Sequence, residues 1–217
     1  MHEIEEQWLT GFWEGDGLFG LYVHNGHYQP QLGFYQKDRG VLDYVQTLLG
    51  FGRVRPCNYN TLYTLTIYSR ERCVKLLAMF CKYVVSKQTI AKMEISAQQH
   101  EPSMSWIVGF FDAEGGVDWD NHGEMQLSIS QKEREVLEKI QAYVGGRIYG
   151  DGAYWKLRPL GCNLRSFIPS ILEFSHNELK RQRLITMLYV LARNDGVWGS
   201  WARELIGKGS YDEEEMV

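Results

Sequence analysis

One ten-residue string occurs twice in this chain. Trp8-Leu-Thr-Gly-Phe-Trp-Glu-Gly-Asp-Gly17 returns as Trp106-Ile-Val-Gly-Phe-Phe-Asp-Ala-Glu-Gly115, 98 residues further on. Three more anchors follow each copy in the same order: Gln36-Lys37 with Gln131-Lys132, Gly52-Arg53-Val54 with Gly146-Arg147-Ile148, and Lys87-Gln88 with Lys180-Arg181-Gln182. Their offsets drift from 98 through 95 and 94 to 93, as loop insertions make them do in a duplicated domain. At 217 residues, a chain so organised has room for two small cores of about 100 residues each.

Both copies read alike. Apolar residues at helical spacing, Ile4, Trp8 and Phe12 in one and Met104, Ile107, Val108 and Phe111 in the other, predict an opening helix that stops at Gly17 and at Gly115-Gly116. Alternating stretches at 18–24 and 28–35, then at 116–119 and 124–130, predict strands joined as hairpins through Asn25-Gly26 and Asn121-His122-Gly123. Helices over 38–49 and 133–144, strand pairs at 52–56 with 62–68 and 147–150 with 154–159, and a further helix complete an αββαββα order in each half. The fold class is therefore α+β, with duplicated half-domains at 1–96 and 105–217 and a short polar link at 97–104. Helices at 179–193 and 201–206 cap the second half, ahead of an acidic tail.

Composition narrows the function. A mean hydropathy of -0.34 and the lack of any run of ~18 apolar residues argue against a membrane span. The acidic start is unlike a signal or transit peptide, so the expected setting is inside a cell, with Cys57, Cys73, Cys81 and Cys162 as reduced thiols. Twenty-three Lys and Arg against 27 Asp and Glu give -4, which at first argues against a nucleic-acid partner. Seven of the acids sit at the ends, in Glu3, Glu5, Glu6 and the run 212–215. The body between them carries 23 basic and 20 acidic groups, or +3.

The repeated string carries its own chemistry. Gly11 and Gly15, like Gly109 and Ala113, lie four apart on one helical stripe, where small residues let two helix backbones approach closely. Two such copies point to one helix packed on the other across a pseudo-twofold axis, since an interior glycine otherwise costs about 1 kcal/mol relative to alanine. Asp16 and Glu114 end those helices, where the macrodipole is negative and a carboxylate is unwelcome. Close packing would also bring the two acids together. A hard divalent cation held by the carboxylates and the helix-end carbonyl oxygens relieves both conflicts, and such a centre suits phosphodiester hydrolysis.

These residues carry a resemblance. Leu9-Thr-Gly-Phe-Trp-Glu-Gly-Asp-Gly17 and Ile107-Val-Gly-Phe-Phe-Asp-Ala-Glu-Gly115 resemble two copies of the motif of the LAGLIDADG homing endonucleases, in the single-chain form with both half-domains. The resemblance implies that Asp16 and Glu114 bind Mg²⁺, with Mn²⁺ or Ca²⁺ able to substitute in binding, while Gly15 and Ala113 offer carbonyl oxygens. It makes Glu14 and Asp112 structural, Gln36 and Gln131 the holders of active-site water, and Lys87 a charge near the scissile phosphate. The partner of Lys87 is Lys180 or Arg181. Arginine would clamp charge but carry protons poorly, so the resemblance allows two unequal active sites.

The same resemblance implies two saddle-shaped antiparallel sheets along the major groove of a double-stranded DNA target, with one strand face reading base edges. Counting alternate residues from each motif puts Tyr22, His24, Gln29, Gln31, Arg53 and Arg55 on that face in the first half. In the second half the count gives Asp118, Asp120, His122, Arg147, Tyr149, Lys156 and Arg158. Gln suits adenine, Arg guanine and Asp cytosine, although acids facing DNA also repel phosphate. Three functions stay open: a monomeric Mg²⁺-dependent endonuclease cutting both strands, a maturase binding its own intron RNA, and a DNA-binding protein without catalysis. Acids in both motifs disfavour the third, and the only basic patch for the second is Lys180, Arg181, Arg183 and Arg193. Two decoys drop out. Gly15-x-Gly17-x-x-Gly20 follows a helix instead of a strand, and His24-x-x-His27 lacks a third zinc ligand.

Overall fold

The computed structural model describes residues 1–24, 27–57, 61–93, 99–120, 124–150 and 152–208. The two predicted hairpin turns, with His122, and the acidic tail lie outside the described residues. So does the side chain of His24.

The first half runs α1 (Glu3–Asp16), β1 (Gly17–His24), β2 (His27–Gln36), α2 (Arg39–Leu49), β3 (Arg53–Cys57), β4 (Leu62–Ile67), α3 (Arg70–Phe80) and α4 (Lys87–Met93). The second runs α5 (Met104–Glu114), β5 (Gly115–Trp119), β6 (Met125–Gln131), α6 (Arg134–Val144), β7 (Arg147–Gly150), β8 (Trp155–Arg158), α7 (Cys162–Phe174), α8 (Glu178–Ala192) and α9 (Val197–Lys208). Each half holds one four-stranded antiparallel sheet, in the orders β1-β2-β4-β3 and β5-β6-β8-β7. The α+β class and the duplicated order are thus borne out. Asp38 and Glu133, predicted as first helical residues, stand one position earlier as N-caps, and Asp38 accepts from Gly40 N at 2.8 Å. The link is shorter than its composition suggests, because Ser103 caps α5 and makes Met104 helical.

Glycine explains why two anchors recur. Gly52 and Gly146 lead into β3 and β7 with φ of 95° and 98°, a region that side chains avoid. Their carbonyls accept from Gln46 Nε2 and Gln141 Nε2, both at 2.9 Å, which ties each strand to the helix before it. The glycines predicted to end α1 and α5 do so, but not by a left-handed turn. Gly17 and Gly115 are extended, at φ of -86° and -79°, and a Cβ there would strike the Trp13 or the Phe111 side chain.

Beneath each sheet the apolar rows close on the helices. Leu32, Phe34, Leu65 and Ile67 in one half, and Leu127, Ile129 and Leu157 in the other, are buried. Trp8 stacks on Phe12 and Phe12 on Phe34, with ring centroids 5.2 and 6.1 Å apart, and Trp106 stacks on Phe110 at 5.0 Å in the matching place. One apolar cluster runs through both halves. All four cysteines are free, and no helix among the described residues is long and apolar enough to cross a membrane.

Candidate active site

At the centre α1 lies against α5 with almost no side chain between them. A Cβ on Gly11 would strike the Trp106 carbonyl, one on Gly109 the Trp8 carbonyl, and one on Gly15 the Ala113 methyl. The acids that precede the motif ends lock this seam. Glu14 accepts from Trp106 Nε1 of the other half at 3.1 Å and from Val85 N and Ser86 N of its own half, both at 2.9 Å. Asp112 mirrors it, accepting from Trp8 Nε1 at 3.1 Å, from His176 N at 2.8 Å and from the Ser175 hydroxyl. Burial pushes Glu14 up to about 7 and Asp112 up to about 6 in spite of these donors.

Close packing then brings the two end acids together. Burial raises Asp16 to about 6, with the Lys180 ammonium pulling the other way. Glu114 rises to about 7, first through burial and then through repulsion by Asp16. Gln36 Nε2 donates to Asp16 Oδ2 at 2.7 Å and to the Asp112 carbonyl at 3.3 Å. Gln36 and Gln131 adopt one local shape, each Oε1 accepting from the next residue's N–H, at 2.8 and 2.6 Å. Lys180 Nζ donates to the carbonyls of Phe111, Asp112 and Ala113 at 2.8, 2.7 and 3.2 Å, capping α5. Burial lowers its pKa to about 8 against the pull of the surrounding carboxylates.

Two pockets open on this seam, related as the halves are. Asp16, Gln36, Lys37, Ala113 and Lys180 line one, and Glu114, Gln131, Lys132, Gly15 and Thr89 line the other. Arg181 and Lys87 belong to neither. Arg181 Nη1 turns to the Ser175 carbonyl at 3.0 Å, which makes Lys180 the residue at the carboxylates. Lys87 is exposed, with its Nζ 2.7 Å from Glu135. Helix caps show why. Ser86 Oγ accepts from Thr89 N at 3.0 Å and Asn177 Oδ1 from Lys180 N at 3.1 Å, so Lys180 is the structural counterpart of Thr89. The likeness of Lys87-Gln88 to Lys180-Arg181-Gln182 suggested another register, because only the cap geometry shows where each helix starts.

Strand registers test the face count. Tyr22 pairs with Gln29, Gly20 with Gln31, Arg53 with Thr66 and Arg55 with Thr64. All lie opposite the apolar row of Phe19, Leu32 and Leu65, so Tyr22, Gln29, Gln31, Arg53 and Arg55 share the face away from the helices. Asp118 pairs with Gln126, Arg147 with Arg158 and Tyr149 with Lys156, again opposite Val117, Leu127 and Leu157. Asp120, next in phase, accepts from Glu124 N through Oδ1 at 2.9 Å. Asp118 shares a groove with Arg183 of α8. The count missed Thr64, Thr66, Gln126, Ser128 and Ser130 on the same faces, all legible by carrying the alternation across to the paired strand.

Comparison with known proteins agrees with this geometry. The model of the LAGLIDADG-like domain matches residues 101–147. A probable intron-encoded endonuclease aI2 of Debaryomyces hansenii is 21% identical over 179 residues, which cover 70% of this chain and 27% of that protein. The chain thus spans about a quarter of that relative's length. A mutant of I-SmaMI superposes with a TM-score of 0.66 at 17% identity, covering 95% of this chain and 99% of the other. The LAGLIDADG meganuclease I-CpaMI bound to uncleaved DNA gives 0.64 at 14% identity, covering 97% and 96%. I-SmaMI bound to its uncleaved DNA target with calcium ions gives 0.63 at 16% identity, covering 93% and 97%. The second half thus matches the LAGLIDADG-like domain over residues 101–147, and the fold across nearly the whole chain is similar to that of solved LAGLIDADG meganucleases.

Proposed function

We propose that the chain is a site-specific DNA endonuclease that hydrolyses one phosphodiester bond in each strand of a long duplex, acting as a monomer with Mg²⁺. One observation carries the reading. Two desolvated carboxylates from opposite halves meet at the end of one helix pair, beside sheets whose outer faces present Arg, Lys and Gln. The DNA-bound relatives and the intron-encoded relative support it.

The residues present fit a hard cation of low protein-ligand count. Among the described residues no group of three or more His, Cys, Asp or Glu could hold a metal. Two carboxylates with helix-end carbonyls of Gly15 and Ala113 match the way Mg²⁺ sits when substrate phosphates complete its shell. When bound, such a cation lowers the pKa of an attacking water and steadies charge on the leaving oxygen. The chain's own groups do the rest. Gln36 fixes the orientation of Asp16, Lys180 places positive charge at the end of α5, and the sheet faces set the register of the duplex. The intron-RNA reading loses ground, because two of its four cations, Lys180 and Arg181, turn inward to backbone carbonyls.

Selection from a randomised duplex library with Mg²⁺ tests this. The expected result is one long site cut in both strands, with Asp16→Asn and Glu114→Gln abolishing double-strand cutting while binding persists. Double-strand cutting retained by either variant would overturn the role given to the carboxylates.

A further inference from the structure

The two hairpins that open the sheets are of unequal reach. β1 and β2 run 8 and 10 residues, whereas β5 and β6 run 5 and 7. Counted from the motif glycines, the first hairpin is paired from Gly17 and Phe34 out to His24 and His27. The second is paired from Gly115 and Ile129 to Trp119 and Met125, with one further bond from Asp120 N to the Glu124 carbonyl at 2.9 Å. The side chains at matching positions also differ in kind. Where the first hairpin pairs Tyr22 with Gln29, the second sets Asp120 opposite Glu124. Tyr22 and Gln29 are exposed, and the Tyr22 ring leans on Tyr68 with centroids 5.8 Å apart. Asp120 and Glu124 line a groove with Arg158, so carboxylates outnumber guanidinium among the described residues there. Two residues further in, Asp118 stands exposed where the first hairpin has Gly20.

We propose that the duplex recognised by this chain has arms of unequal length, the arm under the first sheet being read further from the cleavage centre than the arm under the second. The inference rests on the endonuclease reading above and names the shape of its substrate. A strand advances about 3.3 Å per residue, and stacked bases repeat about every 3.4 Å along a DNA strand. The first hairpin outreaches the second by two to three residues, and so covers roughly two to three more base pairs. At that outer position Tyr22 and Gln29 can donate to phosphates or base edges. Two carboxylates in the same place accept only, and they meet the phosphates with like charge. Asp120 and Glu124 thus mark where the duplex leaves the second sheet.

Duplexes trimmed one base pair at a time from either end of the selected target, titrated by anisotropy in Ca²⁺, measure both arms. Arg55→Ala and Arg147→Ala assign them, since each is expected to relax base preference only in the arm that its own sheet covers. Removing the outermost pairs is expected to weaken binding roughly tenfold on the first arm, and by no more than about twofold at equal distance on the second. Glu124→Lys is expected to bring those outer pairs of the second arm into contact. Binding then becomes sensitive to their removal, and the slope of log K against log salt steepens by about 0.9. Because this is a gain of contact, damage to the fold cannot mimic it. Equal losses on trimming the two arms, or a slope indifferent to Glu124→Lys, would overturn the unequal arms while leaving the endonuclease reading intact. So would a base preference at the outer pairs of the second arm that Asp120→Asn removes. A protein that binds no duplex of any length would overturn both.

Discussion

His176 shows how a single residue couples the halves. Its backbone N–H donates to Asp112, while its ring stacks on Tyr44 of the first half at 3.7 Å and meets Trp8 edge-on at 4.9 Å. Burial lowers its pKa to about 4, helped by Arg181 and opposed by Glu5. A histidine depressed in this way stabilises the fold while neutral. The contribution is complete above the unfolded value near 6.5 and is lost as pH falls through about 4. His176→Phe keeps the stacking and removes the titration, so its chemical-denaturation curves should lose part of the pH dependence between 6.5 and 4. Allowing for the ring's partial exposure, the effect is about 1 kcal/mol; an unchanged pH profile would contradict it. Nothing in the sequence marks His176, because its role depends on rings 132 and 168 positions away along the chain.

Among the elements, the seam between α1 and α5 decides the geometry of everything else. Its glycines could be read from the repeated string, since small residues four apart make one stripe. What that stripe packs against could not be read. On a solvent face Gly→Ala in a helix gains about 1 kcal/mol. Here the added methyl meets backbone carbonyls of the facing helix, which cannot rotate away. Gly11→Ala and Gly109→Ala should therefore each destabilise the protein by about 1–3 kcal/mol in urea titration. A neutral or stabilising result would mean the helices sit further apart than described. Periodicity predicted the strands nearly to the residue, because one buried face forces alternation. It misplaced the equivalence of α4 and α8, because that depends on the caps Ser86 and Asn177 and not on the spelling that follows them.

For the whole molecule, charge is a matter of place. The net of -4 includes seven acids at the chain ends, while Glu14, Asp16, Asp112 and Glu114 are drawn into the seam. The outer sheet faces carry Arg53, Arg55, Arg147, Lys156 and Arg158. If these meet phosphates, log K for duplex binding should fall against log salt with a slope of roughly -4 to -5, measurable by anisotropy. A slope near zero would remove the sheets as the binding surface. By itself the sequence determined the duplication, the order of elements, the two acids and the residues that alternate outward. Each of those is written in local spacing, which a helix or strand turns directly into a shared face. Only the tertiary structure decided that Lys180 and not Arg181 joins the acids, that Lys87 does not, and that the two pockets are unequal. Those facts depend on where separate helices begin and how closely two backbones approach, and no spacing within a single element records that.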